Sequence, residues 1–206
     1  MNIYLSDLTD NFILTGEIER DSYEFLVYHN YEDIAEHSLK VAMKAEELAE
    51  KFGIDKDLAR IAGYLHDIGR VVSEDKKINL AEKLGIDVLD EERIFPEILH
   101  GKLSAVMAYD IFGIEDVDIL NVIKCHTTLK ANADKLDLIL FIADKLSWDS
   151  NDSKEILDGI LNGLEESLGH SAFSYIEHLW NNRNNLKVLH PRTQDAYFDL
   201  KDRYNN

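Results

Sequence analysis

Apolar residues in this chain recur at intervals of three and four, and no stretch keeps the strict alternation of a half-buried strand, which confines the chain to helix packed on helix. Residues 33–52 place Ile34, Val41, Ala45, Leu48 and Phe52 on one side, with Gly53 as a stop. His37 and Ser38 fall on that same apolar side. A second helix is expected from Asp55, carrying Leu58, Ile61, Ala62 and Leu65 inward into His66-Asp67 and ending at Gly69. Asp75 suits the cap of a short helix closed by Gly85, and Pro96 the first turn of a helix with His100, Leu103, Val106, Met107 and Ile111 that stops at Gly113. Asp116 opens a helix through Leu120 and Ile123 to His126, and Asp134 caps one with Leu136, Leu140 and Ala143 on a face that Asp144 adjoins. Residues 153–183 read as one or two helices with Gly169 as a break, and His190-Pro191 opens a last helix with Ala196, Tyr197 and Leu200. The expected fold is all-α, a single helical bundle over residues 22–206 with an irregular N-terminal extension over residues 1–21.

A chain of 206 residues buries a sufficient core without disulfides, and Cys125, its only cysteine, rules out an intrachain disulfide and a zinc ribbon. That cysteine usage fits a reducing cytoplasm. The N-terminus shows no signal-peptide pattern, and no window approaches eighteen consecutive apolar residues, so neither a leader nor a membrane span is expected. Lys and Arg total 22 against 40 Asp and Glu, a net charge of -18. Such a surface repels polynucleotides and anionic lipid, which speaks against a nucleic acid polymer or a membrane as partner. A small nucleotide remains compatible with it if metal ions supply positive charge locally, as does a homodimer.

The chemistry concentrates in His66-Asp67, followed by Ile68-Gly69-Arg70 and accompanied by His37, His100, His126 and Asp144 on other expected helices. One histidine on an apolar face is ordinarily a hydrogen-bonded core residue. A buried His-Asp pair with a second carboxylate beside an apolar stripe is costly unless the carboxylates are paired or coordinate a metal. Imidazole and carboxylate donors together suit Fe, Mn, Zn, Co or Ni, whereas Ca and Mg prefer oxygen-rich sites. His37, His66, Asp67 and Asp144 would form one compact site. His100 and His126 would either hold a second metal, with Asp67 bridging, or bond substrate phosphate. Arg70, four residues after His66, can reach the same mouth and clamp a phosphate. The glycines form no G-x-x-x-x-G-K phosphate loop.

With His37 as the first His of the pattern, the pair His66-Asp67 and the distant Asp144, the chain resembles the HD superfamily of metal-dependent phosphohydrolases over roughly residues 22–200. His100, His126-Thr127-Thr128, Phe141-Ile142-Ala143-Asp144 and His190-Pro191 are similar to the YqeK-type branch, the symmetrical dinucleoside tetraphosphatases. The resemblance implies an HD-type helical domain and hydrolysis of diadenosine tetraphosphate to two ADP. It also implies iron as the leading metal, in one or two ions, with Mn, Ni, Co or Zn as alternatives. Asp67, His66 and Arg70 would be catalytic, and Arg70, His100, His126 and Thr127 would contact substrate phosphate.

The chain departs from that branch in two places. No basic residue stands in Ile34–Glu36, just before the first His, and Ser147-Trp148-Asp149-Ser150-Asn151 replaces the Glu-Pro-basic motif after the last Asp. Phosphate donors must then come from Arg70, Lys130, Lys145, Arg183 or Arg192, of which all but Arg70 read as solvated surface cations. Tyr64, Trp148, Trp180 and Tyr197 could stack on a base, although aromatics at helical spacing are usually core. The competing functions are a single-metal nucleoside monophosphate phosphatase and a non-catalytic nucleotide-binding protein of the same fold, with a di-iron oxygenase further off.

Overall fold

The structure is a computed structural model describing residues 2–148 and 154–204, and among the described residues it contains helices and no strand. A 3-10 turn (Ile3–Leu8) precedes α1 (Ile18–Tyr28), α2 (Glu32–Phe52) and α3 (Lys56–Leu65). After a second 3-10 turn, Ile68–Val71, come α4 (Glu74–Lys83), α5 (Asp90–Ile94), a turn at Pro96–Leu99 and α6 (His100–Asp110). The chain continues through α7 (Val117–Cys125), α8 (Lys135–Ser147), α9 (Lys154–Glu166), α10 (Leu168–Asn181) and α11 (Pro191–Tyr204).

Local chemistry sets most of these boundaries. Asp55, Asp116 and Asp134 each accept backbone N–H bonds in the first turn of α3, α7 and α8, a cap worth about 1 kcal/mol apiece. Gly53 closes α2 in the left-handed conformation. The run from Leu136 to Asp144 is buried on every side, so α8 is the central helix of the bundle and not the amphipathic one its apolar stripe suggests. Helix α2 packs on α3 and α8, α6 on α7 and on the Ile68–Val71 turn, and α10 on α9 and α11.

The close approach of α2 and α3 depends on Gly63. A Cβ there would lie 2.5 Å from the Cα of Ala42, so only glycine lets the two helices touch. Away from the centre, a buried cluster ties α5, α6 and the start of α11 together. Lys102 Nζ donates to Glu92 Oε2 at 2.7 Å and to the Asp87 carbonyl at 2.7 Å, while His190 Nε2 stands 3.3 Å from Glu92 Oε1.

Several expectations need correction. Residues 2–17 hold one 3-10 turn, whose Leu5 is in the core, followed by irregular chain, and α1 starts at Ile18, so a boundary at 21/22 falls inside that helix. Asp21 accepts from Thr15 N, Thr15 Oγ1 and Gly16 N, which pins the entry to that helix. Its N-cap is Glu17, which makes no side-chain cap bond, so the chain carries no local start signal there. The cap of α4 is Ser73 instead of Asp75, and the break between α9 and α10 is at Ser167, whose hydroxyl accepts from His170 N, instead of Gly169. Pro96 opens a 3-10 turn, and the α-helix proper starts at His100. Helix α3 ends at Leu65, ahead of the His-Asp pair, and Gly69 lies inside the following turn.

Candidate metal centre

The end of α3 and the turn after it deliver the His-Asp pair. His66 is the C-cap of α3 and donates Nδ1–H to the Gly63 carbonyl at 2.7 Å, which aims Nε2 inward with its lone pair free. His126, the C-cap of α7, does the same to the Ile123 carbonyl at 2.8 Å, and His100 to the Glu97 carbonyl at 2.6 Å. Each ring is thereby held in the tautomer that presents Nε2 as a ligand atom. His37 comes from α2 and Asp144 from α8, with His37 Nε2 3.0 Å from Asp144 Oδ1. All six residues are buried.

Asp67 sits at the middle. Its Oδ1 lies 3.1 Å from His100 Nε2 and 3.5 Å from His126 Nε2, and its Oδ2 3.6 Å from His66 Nε2. His66 Nε2 is in turn 3.7 Å from Asp144 Oδ1, and the Nε2 atoms of His100 and His126 are 3.1 Å apart. Two compact donor groups result, His37–His66–Asp67 and Asp67–His100–His126, sharing Asp67.

These residues fit divalent transition metal. His66 Nε2 and Asp67 Oδ1 are buried without a hydrogen-bond partner, and an acceptor facing acceptors in a dry site is costly unless a cation stands between them. Two donors each about 2.1 Å from one cation stand about 3.0 Å apart at right angles and about 3.4 Å apart at the tetrahedral angle, which the donor separations here bracket. No thiolate joins them: Cys125 Sγ points to Asp137 Oδ1 at 3.4 Å, and burial, with Asp137 beside it, pushes the thiol up to about 12.

Charge balance around the donors is local. Arg70 Nε donates to Asp67 Oδ2 at 2.6 Å and its Nη1 to Glu97 Oε1 at 3.0 Å, with Lys77 on the other Glu97 oxygen at 2.9 Å. Lys145 Nζ donates to Asp144 Oδ2 at 2.5 Å. Burial alone would raise the two carboxyls. The neighbouring His66, Arg70 and His100 around Asp67, and Lys145 with the His37 bond at Asp144, outweigh it and hold both well below the usual carboxylate range. Burial also opposes the charge on Arg70 and Lys145, but Asp67 and Asp144 keep both protonated. Burial lowers His66 to about 3, so its ring is neutral at neutral pH.

Every residue expected at the site is brought together: His37, His66, Asp67, Arg70, His100, His126 and Asp144 meet there, and Thr127 Oγ1 lies 3.1 Å from the Nε2 of both His100 and His126. Gly69 also belongs to the design, because a Cβ on it would fall 2.5 Å from the His100 carbonyl oxygen. Two residues read from the sequence only as a surface cation and a possible base stacker contact the donors themselves. Lys145 is no surface cation, and a lysine directly after an apolar run with no exposed face must find a carboxylate. Trp148 stacks on the His37 ring, centroids 4.0 Å apart, and donates Nε1–H to Asp144 Oδ1 at 3.0 Å. Of the other aromatics, Trp180 and Tyr197 stack on each other and Tyr64 bonds Glu19, so none lies at the centre. Lys130 pairs with Asp137, and Arg183 bonds the Trp180 carbonyl. Asp149, Ser150 and Asn151 lie outside the described residues.

Among known proteins, the HD domain family model matches residues 34–149. An uncharacterized protein in the pepC 5' region of Lactococcus lactis subsp. cremoris is 45% identical over 149 residues, 72% of this chain and 75% of that protein. The symmetrical bis(5'-nucleosyl)-tetraphosphatase of Bacillus subtilis (strain 168) is 29% identical over 171 residues, 82% and 86% of the two chains. Among solved structures, a predicted HD superfamily hydrolase involved in NAD metabolism from Clostridium acetobutylicum matches with a TM-score of 0.82 at 28% identity, over 89% of this chain and 97% of that one.

Proposed function

The chain belongs to the HD domain family and is a hydrolase, and on that premise we propose that it cleaves diadenosine tetraphosphate symmetrically, with water, to two ADP. The observation that carries this reading is the sharing of Asp67. One of its oxygens faces His66 and Arg70 and the other faces His100 and His126, so its two oxygens could serve two ions, more than a single-metal monophosphatase requires. The Bacillus subtilis relative, named for that reaction, supports the substrate.

His37, His66, Asp67 and Asp144 would hold one ion, and Asp67, His100 and His126 a second. Their mixed nitrogen and oxygen donors suit iron, which the resemblance favours, and equally Mn, Co, Ni or Zn. Metal held there supplies Lewis acidity toward a phosphoryl oxygen and toward water. The chain's own groups do the rest. Arg70 spends one N–H on Asp67 and one on Glu97, leaving the remaining guanidinium donors for charge that builds on the phosphate chain. The Thr127 hydroxyl has one proton to give to the Nε2 lone pair of His100 or of His126, each 3.1 Å away, and would be free to face substrate with those imidazoles holding a cation. Lys145 and Arg70 offset the two carboxylates, so a polyanion meets a locally neutral donor set, to which bound cations would add positive charge, on a protein whose net charge is -18.

Chromatography of the nucleotides formed from diadenosine tetraphosphate by the metal-loaded protein tests the proposal. ADP alone is expected. ATP plus AMP would make the cleavage asymmetric, and turnover of AMP with none of the dinucleotide would move the assignment to a monophosphatase.

A further inference from the structure

A cavity of about 400 Å³ opens beside the metal centre, between the Phe95–Ile98 turn, α10 and the 186–190 segment ahead of α11. That volume is in the range of small-molecule sites, about 300–1,000 Å³. Thr127 and Lys145 line it, and both touch the donor set, Thr127 through the imidazoles and Lys145 through Asp144. Other parts of the wall are apolar and half-buried, notably Phe95, Ile98, Leu179 and Val188. Hydrogen-bond donors therefore stand where the cavity meets the metal ligands, and the remainder is mostly apolar and aromatic, with Thr128, His190 and Thr193 at one side. Such a division fits a molecule with a phosphate at one end and a flat, weakly polar ring system at the other. A larger cavity, about 810 Å³, is lined by Glu17, Glu19 and Glu24 and includes none of the donor residues.

The detail that sharpens the assignment is Lys187. It is exposed, makes no ion pair among the described residues, and rests its ammonium 4.5 Å from the centre of the Phe95 ring. An exposed cation–π contact is weaker than the stacking of a base on an aromatic face. A ring arriving at Phe95 therefore displaces the ammonium at a net gain, and the freed cation is then available to a polyphosphate.

We propose that this cavity seats one nucleoside of the substrate, its base stacked on Phe95 in the place Lys187 occupies and Lys187 turned to the phosphate chain. This rests on the nucleotide reading above. It makes Phe95 and Lys187 binding residues of this chain and places the base contact outside the four aromatics weighed in the sequence.

Calorimetric titration of the metal-loaded protein with ADP and, separately, with pyrophosphate tests it in wild type, Phe95→Ala and Leu179→Trp, the last chosen to fill the cavity from α10. Both variants are expected to weaken ADP binding at least about tenfold, with pyrophosphate binding within about twofold of wild type and an unchanged helical circular dichroism spectrum. ADP affinity unchanged in the well-folded Leu179→Trp variant, or equal weakening of ADP and pyrophosphate, would overturn the proposal. Failure to cleave diadenosine tetraphosphate with this binding pattern intact would overturn the tetraphosphatase reading and leave the nucleoside site standing. Cleavage at a wild-type Michaelis constant by both variants would do the reverse.

Discussion

Trp148 lies nearly flat over His37, the ring planes 28° apart, and its indole N–H is bonded to the Asp144 oxygen that also bonds His37. One side chain thus orients two candidate ligands. Trp148→Phe should keep the stack and lose the bond, lowering metal affinity about 10–100-fold. Metal addition should alter tryptophan emission in the wild type and not in Trp148→Phe, where Trp180 remains stacked on Tyr197. Emission indifferent to metal in the wild type would count against a centre at this position.

Asp67→Ala should reduce turnover by roughly 1,000-fold or more, because it removes the oxygens common to both donor groups. Metal-free stability should fall by about 3 kcal/mol at pH 7, since Arg70 loses one of its two carboxylate partners and the groups that hold Asp67 ionised lose theirs. Thermal unfolding with chelator present, paired with turnover at matched metal content, checks both halves. Retained activity would reject the metal-centred mechanism.

Arg70→Ala should lower kcat by roughly 100-fold and change KM far less, as expected of a donor that acts on charge developing in the transition state. Steady-state kinetics on the dinucleotide decides it. A raised KM at constant kcat would reduce Arg70 to ground-state binding.

Gly63→Ala should cost about 2–3 kcal/mol, because the new methyl meets the backbone of Ala42 at 2.5 Å and must push α3 off α2. The same displacement separates His66 from His37, so metal content after purification should fall with the melting temperature. Stability equal to wild type would mean the helices part without consequence.

Glu92 gives a pH signature away from the centre. Burial would raise it, but its bonds to His190 and Lys102 win and lower it from 4.5 to about 2. A carboxyl depressed in the folded state adds stability above its unfolded value, and that contribution is lost as pH falls from about 4.5 to about 2. Glu92→Gln should therefore cost about 2–4 kcal/mol at pH 7, with the gap to wild type closing across that acid window. A gap independent of pH would assign the loss to packing.

Much of this architecture was legible wherever the signal is local. Asp55, Asp116 and Asp134 announce α3, α7 and α8 because a cap acts within one turn, and His66-Asp67 stands out because its chemistry is unusual inside an apolar run. Helix α1 escaped because Glu17 offers no cap bond, and α5 because five residues carry too little periodicity. Trp148, Lys145 and Phe95 escaped for a different reason. Trp148 stacks on His37 of another element and Phe95 faces a cavity that exists only once the helices have packed, while Lys145, though next to its partner Asp144, is covered only because α8 is enclosed by the bundle.

The bonds from His66, His100 and His126 to carbonyls three residues earlier mean that the protons of these rings are assigned by the chain itself while it folds. His37 differs, since its Nδ1 has no partner and its Nε2 bonds Asp144. Filling the centre thus asks two adjustments of the chain, the move of one proton across the His37 ring and the turning of the Thr127 hydroxyl away from His100 and His126, while the other three lone pairs already face inward. Loading is then a matter of access and of those two small movements within side chains already in place.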